Sequence, residues 1–258
     1  MGIVNATPDS FSGDGRDAGA AIAHGMALIA AGADMLDIGG ESTRPGAAPV
    51  SVAEEIARVV PVIEALAPHI RISIDTRNAA TMRAALDAGA SIINDVTALR
   101  HDPASLPLAR AAGCPVILMH MPGTDPRTMQ EQPRYNDVLA EVRGFLLERA
   151  ALLPDQEVWL DPGIGFGKTL AHNLELLRRL PCLVATGFPI LLGASRKSFI
   201  NRISPAALED RLPGSLAAAL TGAAAGVGWL RVHDVAQTRQ AVAVWIAIHA
   251  LPQPPART

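Results

Sequence analysis

The chain has 258 residues, 49% of them hydrophobic and 18% charged, with 22 Lys and Arg against 25 Asp and Glu for a net charge of −3. That is enough apolar material for one large core, and it excludes disorder as the main state. The near-neutral balance lacks the basic stripe of a nucleic-acid binder, and no apolar run of about 20 residues is present to span a membrane.

Taken in chain order, short runs rich in Ile, Val and Leu alternate with amphipathic stretches. Gly2–Asn5, Met35–Gly39 and Arg71–Asp75 are predicted strands, and Val52–Leu66 carries the apolar spacing of three and four that predicts a helix between the last two. Ala79–Ala88 follows as a helix with Asn78 as its N-cap, then the strands Ser91–Val96 and Pro115–His120. Helix Val138–Leu153, strand Glu157–Asp161, helix Leu170–Leu180, strand Pro189–Ala194, strand Trp229–His233 and helix Gln237–Ala250 complete the series. Ser215–Leu230, mostly Ala and Gly, reads as a tightly packed buried helix. Gly32, Gly89 and Gly113 stand where helices should stop.

No Pro/Gly/Ser linker interrupts this rhythm, so residues 1–258 are read as one domain. Eight strand–helix units in about 250 residues is the size of a (β/α)₈ TIM barrel. A doubly wound open sheet shares the alternation. In an open sheet, however, polar strand ends gather at the switch point. Here they follow nearly every strand: Asn5, Gly39-Gly40-Glu41, Asp75, Asn94-Asp95, His120, Asp161, Ser195-Arg196-Lys197, Arg231 and His233. The barrel is favoured. Thr7–Asp17, Gly40–Val50 and Met121–Asp137 are long connections without periodicity, the kind that act as lids or binding loops.

Cys114 and Cys182 lie far apart and outside any metal-ligand spacing, which points to a reducing, cytoplasmic setting. The N-terminus shows no basic-then-apolar secretory pattern. The Gly163-Ile164-Gly165-Phe166-Gly167-Lys168 segment is no Walker A motif, because only three residues separate Gly163 from Gly167. Its glycines serve either tight turns or the close approach of a flat ligand to backbone. Only two of the 22 basic residues are lysines, Lys168 and Lys197. Either chance left these two, or they stand where a guanidinium fork would not fit.

Trp229, Arg231 and His233 share one face of the last strand by parity. An Arg and a His together at a barrel mouth suit an anion. Asp75, Asn94, Asp161 and Lys197 come from four different strand ends, and two readings fit them. One is an internal salt-bridge network. The other is a slot for a flat heterocycle: carboxylates accept paired bonds from an amino group and ring N–H, Asn serves a mixed edge, and Lys donates to a carbonyl. An aminopyrimidinone such as a pterin has that inventory.

Several strings resemble the dihydropteroate synthase family. Asn5-Ala6-Thr7-Pro8-Asp9-Ser10-Phe11-Ser12 is similar to its first signature and Asp37-Ile38-Gly39-Gly40-Glu41-Ser42-Thr43-Arg44-Pro45-Gly46 to its second. Ile74-Asp75-Thr76, Asn94-Asp95, Met119-His120-Met121, Asp161-Pro162-Gly163, Ser195-Arg196-Lys197-Ser198 and Arg231-Val232-His233-Asp234 follow in family order. The resemblance implies a barrel enzyme that joins 4-aminobenzoate to 6-hydroxymethyl-7,8-dihydropterin diphosphate, releasing diphosphate. It implies that Asp75, Asn94, Asp161 and Lys197 line the pterin slot, with Met119 beside it, and that Asn5 is a ligand of Mg²⁺ carried on the diphosphate. Arg231 and His233 are implied as the anion pocket, with Arg231 also stacking on the ring. Thr43 and Arg44 belong to a closing loop, and Ser198, Phe166 and Pro45 to the aminobenzoate site. A cytoplasmic homodimer is implied too, through late helices such as Ser215–Val227.

The first loop reads Ser12-Gly13-Asp14-Gly15, which shifts its acid by one residue from the family pattern. The hairpin that usually precedes the first strand is not visible. A pterin-dependent methyltransferase and a catalytically silent pterin-binding paralogue are the alternative readings.

Overall fold

The computed structural model of the chain describes residues 1–7, 18–41, 49–125, 129 and 133–250. The described residues form eight parallel strands: β1 Gly2–Asn5, β2 Met35–Gly39, β3 Arg71–Asp75, β4 Ile92–Asp95, β5 Val116–Met119, β6 Val158–Asp161, β7 Leu191–Leu192 and β8 Trp229–Leu230. Strands β1 to β6 form one continuous parallel ladder in sequence order, and β7 pairs with β8. Two parallel bridges join these pieces, Leu160 to Ile190 and Gly2 to Val232. The second is closed by Val232 N–H to the Met1 carbonyl at 3.0 Å and Ile3 N–H to the Val232 carbonyl at 3.1 Å. With first and last strands paired there is no sheet edge, and the open-sheet alternative falls. The fold is a (β/α)₈ barrel.

Among the described residues ten α-helices lie outside it: α1 Ala18–Ala30, α2 Val52–Leu66, α3 Ala79–Asp87, α4 Ser105–Ala112, α5 Val138–Ala150, α6 Leu170–Arg178, α7 Leu180–Val184, α8 Ser198–Ile203, α9 Leu212–Ala225 and α10 Val235–Ala250. Their starts follow local chemistry. Ser51 accepts from Glu54 N–H at the head of α2, and Asp137 from Ala140 N–H at the head of α5. Thr169 and His172 cap each other at α6. Asn78 stands at the N-cap position of α3 but makes no side-chain cap bond. Its amide donates instead to Glu55 at 2.8 Å, and Asp102 accepts from Ala79 N–H. The stretch predicted as one helix to Leu180 breaks at Arg179, because Pro181 cannot donate within a continuing helix and starts α7 instead.

Strand parity divides the barrel into two cores. Outward residues such as Val4, Leu36, Ile38, Ile72, Ile74, Ile93, Val116, Leu118 and Leu160 pack against the helices in the large cluster. Inward residues Met1, Met35, Ile92, Ile117, Trp159, Leu191 and Trp229 fill the lower barrel. There Trp159 and Trp229 stack with centroids 4.8 Å apart and planes 20° from parallel. One inward position further along, β2, β4, β6 and β8 turn polar, with Asp37, Asn94, Asp161 and Arg231, and that change of layer builds the mouth. Among the described residues no helix is long and apolar enough to cross a membrane.

Candidate active site

The inward residue two positions beyond Met35 is Asp37, beyond Ile92 Asn94, beyond Trp159 Asp161 and beyond Trp229 Arg231. Ladder register sets Gly39 beside Asp75, Asp75 beside Asn94, and Met119 beside Asp161. The predicted polar set therefore meets at one end of the barrel. Its hub is Arg231, whose Nε donates to Asp37 Oδ2 at 2.5 Å and whose Nη2 donates to Asp75 Oδ2 at 2.8 Å. Asn94 Nδ2 donates to the same Asp37 carboxylate, at 3.1 Å to Oδ2. Asp37 has 0% exposure.

Arg231 is thus bound to two acids. These are the contacts that the salt-bridge reading expects of this part of the set. Two carboxylates share one guanidinium, and burial together with the Asp37 charge raises Asp75 to about 7 against the opposing pull of Arg231. Burial also raises Asp161, countered by the Gly163 N–H it accepts at 2.7 Å and by Lys197.

Across the mouth, Lys197 Nζ lies over the Phe166 ring, 4.1 Å from its centroid. Phe166 packs with Val96, Met119, Met121 and Met129, which puts the predicted Met119 in an apolar wall. Gly193 leaves room opposite Asp161, where a Cβ would stand 3.5 Å from Oδ2. Ser198 is exposed at the start of α8, next to Lys197. Asn5 ends β1 half-buried at the same mouth.

His233 Nδ1 is 3.0 Å from Ser195 Oγ. Burial, with Arg231 and Arg196 nearby, lowers His233 to about 4, so the imidazole is neutral near pH 7. Thr43 and Arg44, with Pro45 and Asp14, lie outside the described residues. The stem of that second loop is described: Arg77 grips Glu41 through Nε at 3.0 Å and Nη2 at 3.1 Å, and Arg58 donates to the Gly40 carbonyl.

The Gly-rich segment serves packing more than ligand approach. A Cβ on Gly163 would lie 2.1 Å from the His120 carbonyl oxygen and one on Gly167 2.1 Å from Pro122 Cγ, both at positive φ. Lys168, 3% exposed, buries its Nζ beneath this loop, 3.0 Å from His120 Nδ1, the Gly163 carbonyl and the Phe166 carbonyl. Burial depresses Lys168 to about 7 and His120 to about 3. His120, packed edge-on against Phe145, is a core-edge residue.

Asp37 is the site residue that sequence reasoning left unassigned. Its signal was an acid at an inward position of an otherwise apolar strand. Asp95 separates from Asn94 by the same parity. It turns outward and accepts from Thr97 N–H, Thr97 Oγ–H and Leu99 N–H.

A closed parallel barrel with a polar, acid-rich mouth above an apolar plug defines a barrel enzyme with a small-molecule site. The pterin binding enzyme family matches residues 1–233. The dihydropteroate synthase of Escherichia coli K12 is 46% identical over 253 residues, 95% of this chain and 89% of that protein. The Xanthomonas albilineans dihydropteroate synthase solved with 4-aminobenzoic acid superposes with a TM-score of 0.90 at 49% identity, covering 98% of this chain and 93% of that one. A second structure from that organism, in complex with 7,8-dihydropteroate, gives 0.87 at 46% identity, covering 98% and 94%. The chain belongs to the pterin-binding enzymes, and among them to the dihydropteroate synthase family.

Proposed function

We propose that the chain condenses 6-hydroxymethyl-7,8-dihydropterin diphosphate with 4-aminobenzoate to give 7,8-dihydropteroate and diphosphate. The observation that carries this reading is the meeting of Asp75, Asn94, Asp161, Lys197 and Arg231 at one barrel mouth. Asp161 accepts from the amino edge of the ring, Asn94 meets its mixed edge, and Lys197 donates to its carbonyl. Arg231, held in plane by Asp37 and Asp75, gives the ring a cationic floor.

The reacting carbon is exocyclic on an electron-rich ring. Its C–O bond breaks with both electrons leaving on diphosphate, the ring delocalises the cation that remains, and the aryl amine adds and loses a proton to solvent. The acids of the slot lower the energy of that cation. His233, neutral and placed by Ser195, donates one hydrogen bond to the departing oxygens, and Thr43 and Arg44 add donors from the second loop. Phe166 and Ser198 frame the aminobenzoate.

The Asn5 carbonyl is a hard oxygen donor, and among the described residues no group of three His, Cys, Asp or Glu could hold a metal. That donor set suits a Mg²⁺ that arrives on the diphosphate and keeps most of its waters. When bound, it supplies charge neutralisation to the leaving group.

Purified chain should release diphosphate only with both substrates and Mg²⁺ present. Tight pterin binding without turnover would overturn the reading. We also place the enzyme in the cytoplasm, with Cys114 and Cys182 as free thiols. A homodimer in this reading covers the exposed Val244, Ile246 and Ile248 of α10, which packs on α9. Light scattering on the eluted peak should give twice the chain mass.

A further inference from the structure

The chain's two lysines meet at one residue. Lys197 Nζ sits on the ring of Phe166, and Lys168 Nζ donates to its carbonyl at 3.0 Å. From these contacts we infer that Lys168 is a positioning residue for pterin capture, acting through Phe166 on Lys197; the inference rests on the function proposed above.

The loop from Gly163 to Lys168 folds around the Lys168 ammonium. The Gly163 and Phe166 carbonyls and His120 Nδ1 converge on it at 3.0 Å, with the His120 carbonyl at 3.3 Å. A compact ammonium with three rotatable protons meets such a set, and a planar guanidinium fork cannot. Phe166 N–H closes the turn on the Gly163 carbonyl at 3.0 Å. Asn173 accepts from Gly165 N–H at 2.7 Å from below. Asp161, through Oδ1, holds Gly163 N–H at 2.7 Å. The loop that presents Phe166 is therefore fixed at one end by an acid of the slot and in its middle by Lys168.

Without the ammonium, the Gly163 and Phe166 carbonyls lose a buried donor. Phe166 is then free to tilt, and Lys197 loses the face that holds its Nζ toward the ring carbonyl. That contact is with a part of the substrate that does not react, so it acts alike on ground and transition states and is read in affinity more than in turnover.

The test is Lys168→Met, with Lys168→Gln as the milder variant in case the first folds poorly. Dihydropterin diphosphate binding is measured by calorimetry, and KM and kcat by diphosphate release. The expected result for Lys168→Met is a Kd and KM for the pterin raised roughly 10–100-fold, with kcat within about threefold. Lys168→Gln, which keeps some of the donated bonds, should show a smaller rise of the same kind.

In a Phe166→Leu background the further loss from Lys168→Met should shrink to less than about threefold, since the residue through which Lys168 acts is gone. Unchanged pterin affinity in both variants would overturn the inference. So would an undiminished loss in the Phe166→Leu background, or an equal weakening of both substrates that simply tracks a lowered Tm. A parent chain that neither binds pterin nor turns over would overturn the functional reading together with this one, whereas an active parent with an indifferent Lys168→Met overturns this one alone.

Discussion

Asp37 holds Arg231 and Asn94 at once, so its loss leaves a half-buried guanidinium that still bonds Asp75. Asp37→Ala is expected to destabilise the fold by about 2–3 kcal/mol, read from urea unfolding, because Arg231 loses one of its two acids and Asn94 loses its acceptor. Asp161→Asn and Lys197→Ala belong to a different class. Asp161→Asn keeps an oxygen for Gly163 N–H, and Lys197 is only half-buried. Both should weaken pterin binding by roughly 100-fold or more, with Tm little changed, as calorimetry and melting would show. Large stability losses from both would make them structural ion-pair residues instead. At this scale the sequence was informative where parity could be applied. The inward placing of Asp75, Asn94, Asp161 and Arg231 follows from alternation. The pairing of Arg231 with two acids does not, because a strand pattern gives a residue's face and not its partner across the barrel.

Among the elements, β1, β2, β3 and α2 have the bounds their sequence predicts. Each is a clean apolar run or amphipathic stripe with a clear stop. Strands β7 and β8 keep two residues each, and Ile190 and Val232 next to them join the neighbouring strands only through single bridges. Helices α1 and α9 were harder to bound, since Ala and Gly on nearly every face blur the 3.6-residue period. The turn after β4 was not legible at all. Ala98 and Leu99 both adopt positive φ, at 55° and 59°. Asp95 from below and Arg149, donating to both their carbonyls, hold them there. Left-handed non-glycine residues persist only where their surroundings impose them. Asp95→Ala removes three accepted bonds. It should cost about 2–4 kcal/mol in chemical unfolding and lower pterin affinity modestly by loosening the strand that carries Asn94.

For the whole molecule, the sign of the pH response follows from its buried histidines. His120 and His233 fall to about 3 and about 4, below the ordinary histidine value, so near pH 5 the unfolded chain binds protons that the folded chain refuses. Their contribution to stability is complete above the unfolded value and is lost as pH falls toward the folded ones. Asp75 and Asp95, raised to about 7 and about 6, act in the opposite direction: the folded chain holds protons that the unfolded chain releases, and stability from these groups declines as pH rises through that range. Comparison with a variant separates the two. Between pH 7 and pH 5 the parent should lose about 2 kcal/mol more than His120→Gln, measured by urea unfolding at each pH.

The stacked Trp159 and Trp229 have a consequence of another kind. Trp159 precedes Asp161 by two residues of strand, roughly 7 Å, so the paired indoles lie directly under the ring-binding floor. Dihydropterins absorb in the near ultraviolet where indoles emit. The barrel therefore carries its own optical reporter, and quenching of its fluorescence would time the arrival of the ring separately from any bond that later breaks.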